Sequence, residues 1–213
     1  MKKSILFLGL LSFILLGSSC SKDVEEEAGG YALRIGDQLN KKATSSLQLS
    51  QALAYLEEVE LEREVGDDDD DMEVDIEGRF TVDLLTGNST PEIPLIEIAP
   101  GNYHELELEF GDDDRLAFDI RGTYTDTSGQ SFDFKVSTIQ ELEFEIEAEG
   151  NGIVIPEDYF TTLNVSFPVS DALLTLDWQN AVADANNVIN INQQSNSSML
   201  TAFLNALQLE VDD

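Results

Sequence analysis

The chain has one cysteine, one histidine, one tryptophan and 11 basic residues against 43 acidic ones. Each scarcity excludes something. A lone cysteine, Cys20, makes no disulfide within the chain and no multi-cysteine metal site. The single histidine, His104, builds no multi-histidine metal centre, and any Ser-His-Asp triad would have to use it. No GxSxG elbow, HExxH pair or phosphate-binding glycine loop occurs; Gly150 and Gly152 in "EGNGIVI" read as a turn. A formal charge of −32 repels nucleic acid and anionic headgroups, so nucleic acid is not an expected partner. A carboxylate pair could still run glycoside hydrolysis, but among 43 acidic residues the sequence singles out no pair. The chain therefore reads as non-catalytic.

What is present begins with an address. Lys2 and Lys3 precede an apolar run, Ile5 to Leu16, too short to span a bilayer and suited to a cleaved signal peptide. Small residues follow, "GSSC", ending at Cys20. This resembles a bacterial lipoprotein signal, cleaved before a cysteine that is then acylated. Residues 1–19 are the expected signal peptide and Cys20 the expected lipid anchor to the membrane. Stable anchoring takes more than one acyl chain, at ~0.8 kcal/mol per buried methylene. Residues 20–30, "CSKDVEEEAGG", read as a flexible acidic tether. A lysine and acidic residues just after the cysteine resemble the export signal of Bacteroidota-type surface lipoproteins. The expected location is the outer membrane, displayed at the cell surface, with the periplasmic face as the alternative. Removing the signal leaves 9 basic and 43 acidic residues.

Residues 31–213 read as one mainly β domain, an antiparallel β-sandwich with short C-terminal helices. Apolar and polar residues alternate in "MEVDIEGRFTVDLL", "HELELEF", "LAFDIRGTY", "SFDFKV" and "ELEFEIEAE". Period two over so many segments predicts strands with one buried and one wet face. Further strands are expected at 31–35, 93–98, 153–155 and 159–168. In "TYTDTSGQSF", direct pairing of Tyr124 with Phe132 leaves Thr127, Ser128 and Gly129 as a three-residue loop with glycine at its left-handed position. Residues 46–65 read as a helical turn near 47–53 followed by a strand. Two helices are expected near the end, capped by Ser170 and Ser197. His104 takes the inward parity of its strand. The five prolines fall near strand ends.

The acidic faces raise the site question. Carboxylates about 5 Å apart repel by roughly 0.8 kcal/mol in bulk water, and salt or divalent cations relieve this. The calcium candidates are Asp67, Asp69 and Asp71 in "GDDDDDMEVD", and Asp112 and Asp114 in "GDDDR". Neither run has the spaced oxygens of a helix-loop-helix calcium site. One strand differs: in "YFTTLNVSFPV" the outward Thr162, Asn164 and Ser166 are neutral hydrogen-bonding groups suited to sugar hydroxyls. Trp178 and Tyr159 could supply a stacking platform, but a lone tryptophan is more often core. The expected partners are glycans or envelope proteins.

The order of "LEEVELERE", "GRFTVDLLTG" (Gly78 to Gly87), "IPLIEIAPGNYHELELEF" (Ile93 to Phe110) and "FDIRGTY" (Phe118 to Tyr124) behind a lipoprotein cysteine is similar to a family of Bacteroidota-type lipoproteins. That family carries a domain of unknown function. The resemblance implies a prealbumin-like or carbohydrate-binding-like β-sandwich and hints at glycans. It carries no catalytic residue over to this chain.

Overall fold

A computed structural model describes residues 29–36, 46–64, 71–147, 152–157, 160–207 and 210–212. Cys20, Asp67, Asp69 and Tyr159 lie outside them, as do the signal and most of the tether.

The chain is mainly β, as its alternation predicts. The strands are β1 (Gly29–Gly36), β2 (Leu47–Glu64), β3 (Asp71–Asp83), β4 (Asn88–Thr90), β5 (Ile96–Ile98), β6 (Gly101–Tyr103) and β7 (Glu105–Phe110). They continue with β8 (Phe118–Thr125), β9 (Ser131–Thr138), β10 (Leu142–Glu147), β11 (Ile153–Ile155), β12 (Phe160–Ser166), β13 (Val188–Ile191) and β14 (Glu210–Asp212). Two short helices, α1 (Val169–Leu174) and α2 (Ser197–Ala206), lie in the C-terminal quarter. A small sheet has the order β14-β12-β1-β5. A large sheet runs β10-β7-β2-β8-β9-β13, with β3 on β2 and β4 on β3. β11 pairs with β6. Most pairings are antiparallel, but β1–β12 and β13–β9 are parallel.

The 18-residue β2 is the spine. β8 and then β7 pair along one edge of it, and β3 takes the other. The helical turn expected at 47–53 is therefore strand. A register shift at Leu49/Gln51 explains the misreading, and a second follows at Leu56/Glu58. Each bulge spaces consecutive inward residues by three, Leu49 to Ala52 and Leu56 to Val59, and a spacing of three imitates a helix.

The two sheets meet through phenylalanines. Phe167, just past β12 of the small sheet, sits 5.6 Å from Phe110, 5.2 Å from Phe118 and 5.9 Å from Phe144, all on the large sheet and all tilted or edge-on. A second apolar centre lies toward β8 and β9, where Trp178 stacks on Tyr124 at 5.0 Å and its indole N–H donates to the Leu173 carbonyl.

The predicted hairpin forms. Tyr124 faces Phe132, Asp126 N–H donates to Gln130, and Gly129 has φ +88°. The Ser128 hydroxyl first, then the amides of Gln130 and Ser128, donate to the Asp126 carboxylate and hold it below its ordinary pKa. The expected helix caps move. Pro168 stands at the N-cap of α1 and Asn196 at that of α2, so Ser170 and Ser197 are already helical. Neither cap residue makes a side-chain cap bond. Asn196 instead uses its amide to bridge Val182 and Asn190. The 93–98 strand begins only at Ile96, and all five prolines lie outside strands.

Candidate functional site

Two features stand out on the outer surfaces, and both follow from register.

The first is on the large sheet. Pairing across β10, β7, β2 and β3 aligns three rows of carboxylates. They are Glu143–Glu109–Glu58–Glu77, Glu145–Glu107–Glu60–Asp75 and Glu147–Glu105–Glu62–Glu73. Strand spacing sets neighbours in a row about 4.8 Å apart, and the pleat sets the rows about 7 Å apart. Carboxylate oxygens of Glu60, Glu62 and Glu73 come within 4.8 Å of one another, as do those of Glu105, Glu107 and Glu145, and of Glu107, Glu109 and Glu143. Crowding and partial desolvation keep protons on this face. Desolvation, a hydrogen bond that protonated Glu60 donates to Glu62, and the charges of Glu73, Glu107 and Glu62 push Glu60 up to about 8. Desolvation first, then neighbouring glutamates, raise Glu105, Glu107 and Glu109. Three oxygens within reach of one another match the start of a calcium shell, which takes six to eight oxygens from protein and water.

His104 belongs to this face. It was expected inward, but Tyr103 and Leu106 are both buried while His104 and Glu105 are both half-exposed. The alternation breaks between β6 and β7, and the imidazole comes within 4.8 Å of the Glu62 and Glu105 carboxylates. Its charge partly offsets the rise at Glu105.

Of the sequence-predicted calcium residues, Asp67 and Asp69 lie outside the described residues, and Asp71, Asp112 and Asp114 are not in these rows. Asp71 begins β3. Asp112 closes a turn: one oxygen accepts from the Asp114 amide and the other takes the Arg79 guanidinium. Asp114 is exposed at that turn.

The second feature is a groove of about 770 Å³ on the small sheet, with a mixed polar and apolar lining. β5 pairs with β1 only over Gly29–Tyr31, so the rest of that edge of β1 faces the segment 88–95. The groove is lined by Ala32, Arg34, Asn88, Ser89, Glu92 and Thr162, with Ile93, Pro94 and Leu95 among its apolar residues. Arg34 extends over the turn 84–87, donating to the Thr86 carbonyl at 3.4 Å. Its Nε lies 2.9 Å from where a Cβ on Gly87 would sit. Gly87 has φ +71°, so glycine there serves both the turn and the guanidinium.

Thr162, Asn164 and Ser166 do lie on the outer face, as predicted, with Leu163 and Val165 buried between them. Of the three, Thr162 lines the groove. Asn164 and Ser166 continue along β12 opposite Arg34 and Gly36. Trp178, the lone tryptophan, is only 8 % exposed and is a core residue, as a lone tryptophan more often is.

Arg34, Asn88, Ser89 and Glu92 went unnoticed in the sequence. The parity of "YALRIG" puts Ala32 and Arg34 outward, but nothing local says that the 88–95 segment folds against them.

Compared with protein-family models, curated proteins and solved structures, the chain finds no match.

Proposed function

We propose that this chain is a non-catalytic binding module of the bacterial cell envelope, anchored by lipid at Cys20, that takes a carbohydrate strand in the groove beside Arg34. The groove carries the reading. It is open and large enough for a sugar unit. It joins a guanidinium, a carboxylate, amides and hydroxyls to an apolar wall, the mixture that sugars need for their hydroxyls and ring faces. Glycoside hydrolysis uses two carboxylates flanking the scissile bond, and among the described residues Glu92 is the one carboxylate in this lining, which supports binding rather than cleavage. The lipoprotein-like signal and the resemblance to Bacteroidota-type lipoproteins support placement at the outer membrane, facing outward. Affinity electrophoresis of the mature domain through soluble polysaccharides tests the reading: at least one glycan retards the protein, and Arg34→Ala releases it.

A second reading, a calcium-stabilised acidic surface protein, is favoured by the three carboxylate rows. Calcium bridging neighbouring strands would relieve their repulsion and tie β10, β7, β2 and β3 together. Melting with calcium against chelator at matched ionic strength tests it.

A further inference from the structure

Phe160 is 51 % exposed, an unusual position for a phenylalanine in a chain whose other outward strand positions are mostly charged or hydroxylated. It opens β12 opposite Gly30 and shares the outward parity of Thr162 and Asn164. Its ring fills the space over that glycine: a Cβ on Gly30 would lie 2.3 Å from the ring Cε1 and 2.6 Å from Cδ1. The ring is thus seated against the β1 backbone by the absence of a side chain beneath it, while half of its surface remains open. The next outward positions of β1 are Ala32, Arg34 and Gly36. The floor beside β12 is therefore low from Gly30 to Ala32 and rises only at the guanidinium.

Thr162 follows Phe160 on the same face, about 7 Å along the strand, and Thr162 already lines the groove. An aromatic surface and a hydroxyl on β12, and a guanidinium on β1, lie in sequence on one face of the small sheet, with Phe160 just beyond the groove's lining. The chain's formal charge of −32 repels an anionic ligand, and a purely apolar one would leave Arg34, Glu92 and Thr162 without partners.

We propose that Phe160 is the stacking platform of the groove, and that the ligand is a polymer of neutral pyranosides running along β12. One unit would rest its ring hydrogens on Phe160, and the next would hydrogen-bond to Thr162 and Arg34. This rests on the carbohydrate reading above and adds to it the ligand's class and direction.

The test compares the mature protein with Phe160→Ala, Phe160→Tyr and Arg34→Ala on a soluble β-glucan, an α-glucan and a galactomannan, read by affinity electrophoresis, with melting curves for each variant. Phe160→Ala is expected to weaken binding about three- to tenfold, the range for loss of one aromatic contact, while Phe160→Tyr binds as the parent does. If Phe160→Ala binds as tightly as the parent while Arg34→Ala releases the glycan, the platform is overturned and the groove stands. If none of the glycans retards the parent protein, both fall. If Phe160→Ala also melts early, the tyrosine variant decides: a tyrosine that folds normally but does not bind overturns the stacking role.

Discussion

The ring of Phe167 meets that of Phe118 edge-on, 65° apart in plane with centroids separated by 5.2 Å. One belongs to the small-sheet side of the core and the other to the large sheet, and both are essentially fully buried. This contact and its neighbours at Phe110 and Phe144 join the layers. Phe167→Ala is expected to lower unfolding stability by about 3–5 kcal/mol, the usual loss for a buried phenylalanine. A urea titration measures it. A loss under about 1 kcal/mol would mean that the sheets are held together elsewhere.

The carboxylate rows predict a mutation that stabilises. Glu60 faces Glu107 on one side and Asp75 on the other. At about pH 9, above its titration near 8, Glu60 is ionised, and Glu60→Gln then removes the charge at the middle of its row with almost no change in shape. Stability at low salt should rise by a few tenths of a kcal/mol to about 1 kcal/mol. The gain should shrink in 1 M salt, where the screening length falls to about 3 Å. Paired denaturant curves at the two salt concentrations check this.

The same face sets the direction of the pH dependence. Glu60 titrates near 8 in the fold against an ordinary 4.5, and Glu105, Glu107 and Glu109 shift the same way. The folded state therefore holds more protons than the unfolded state between those values, and stability falls as pH rises. The stabilisation is complete below about 4.5 and is lost as pH climbs through about 8. Asp126 and Asp184 oppose this at the acid end. Both are held low by turn hydrogen bonds, Asp126 first by the Ser128 hydroxyl and Asp184 first by the Val188 amide, and their contribution disappears as they protonate. Melting temperatures at constant ionic strength should decline steadily from pH 5 to pH 8.5. A rise across that window would contradict the crowding of this face.

Millimolar calcium is expected to raise the melting temperature at pH 8 more than sodium chloride of equal ionic strength, because a divalent ion can bridge two rows while sodium only screens them. Glu60→Gln should reduce the calcium effect. Equal responses to the two salts would remove the second functional reading.

How far the sequence could be read depended on whether a feature was local. Alternation in "ELEFEIE" or "SFDFKVS" is local, and it placed β10 and β9 correctly. The 124–132 hairpin was legible because Gly129 sits where its loop needs a left-handed residue. Bulges were not legible: Leu49 to Ala52 and Tyr103 to Leu106 each skip a step, which disguised part of β2 as helix and turned His104 outward. Register was also hidden. Each strand announced its glutamates, but only pairing aligns Glu107 with Glu60 and Glu145. The groove was half visible. Thr162 could be named from its own strand, whereas Arg34 and Glu92 come together from segments far apart in the chain.

The most direct measurement is retardation of the mature domain by soluble neutral polysaccharides, run beside Arg34→Ala. Arg34 is exposed and its described hydrogen bond is a long one to the Thr86 carbonyl, so its removal should change stability by no more than about 0.5 kcal/mol. The groove reading predicts that a glycan slows the parent protein and that the variant, equally well folded, migrates freely. Free migration of the parent through every glycan, or equal retardation of parent and variant, would contradict it.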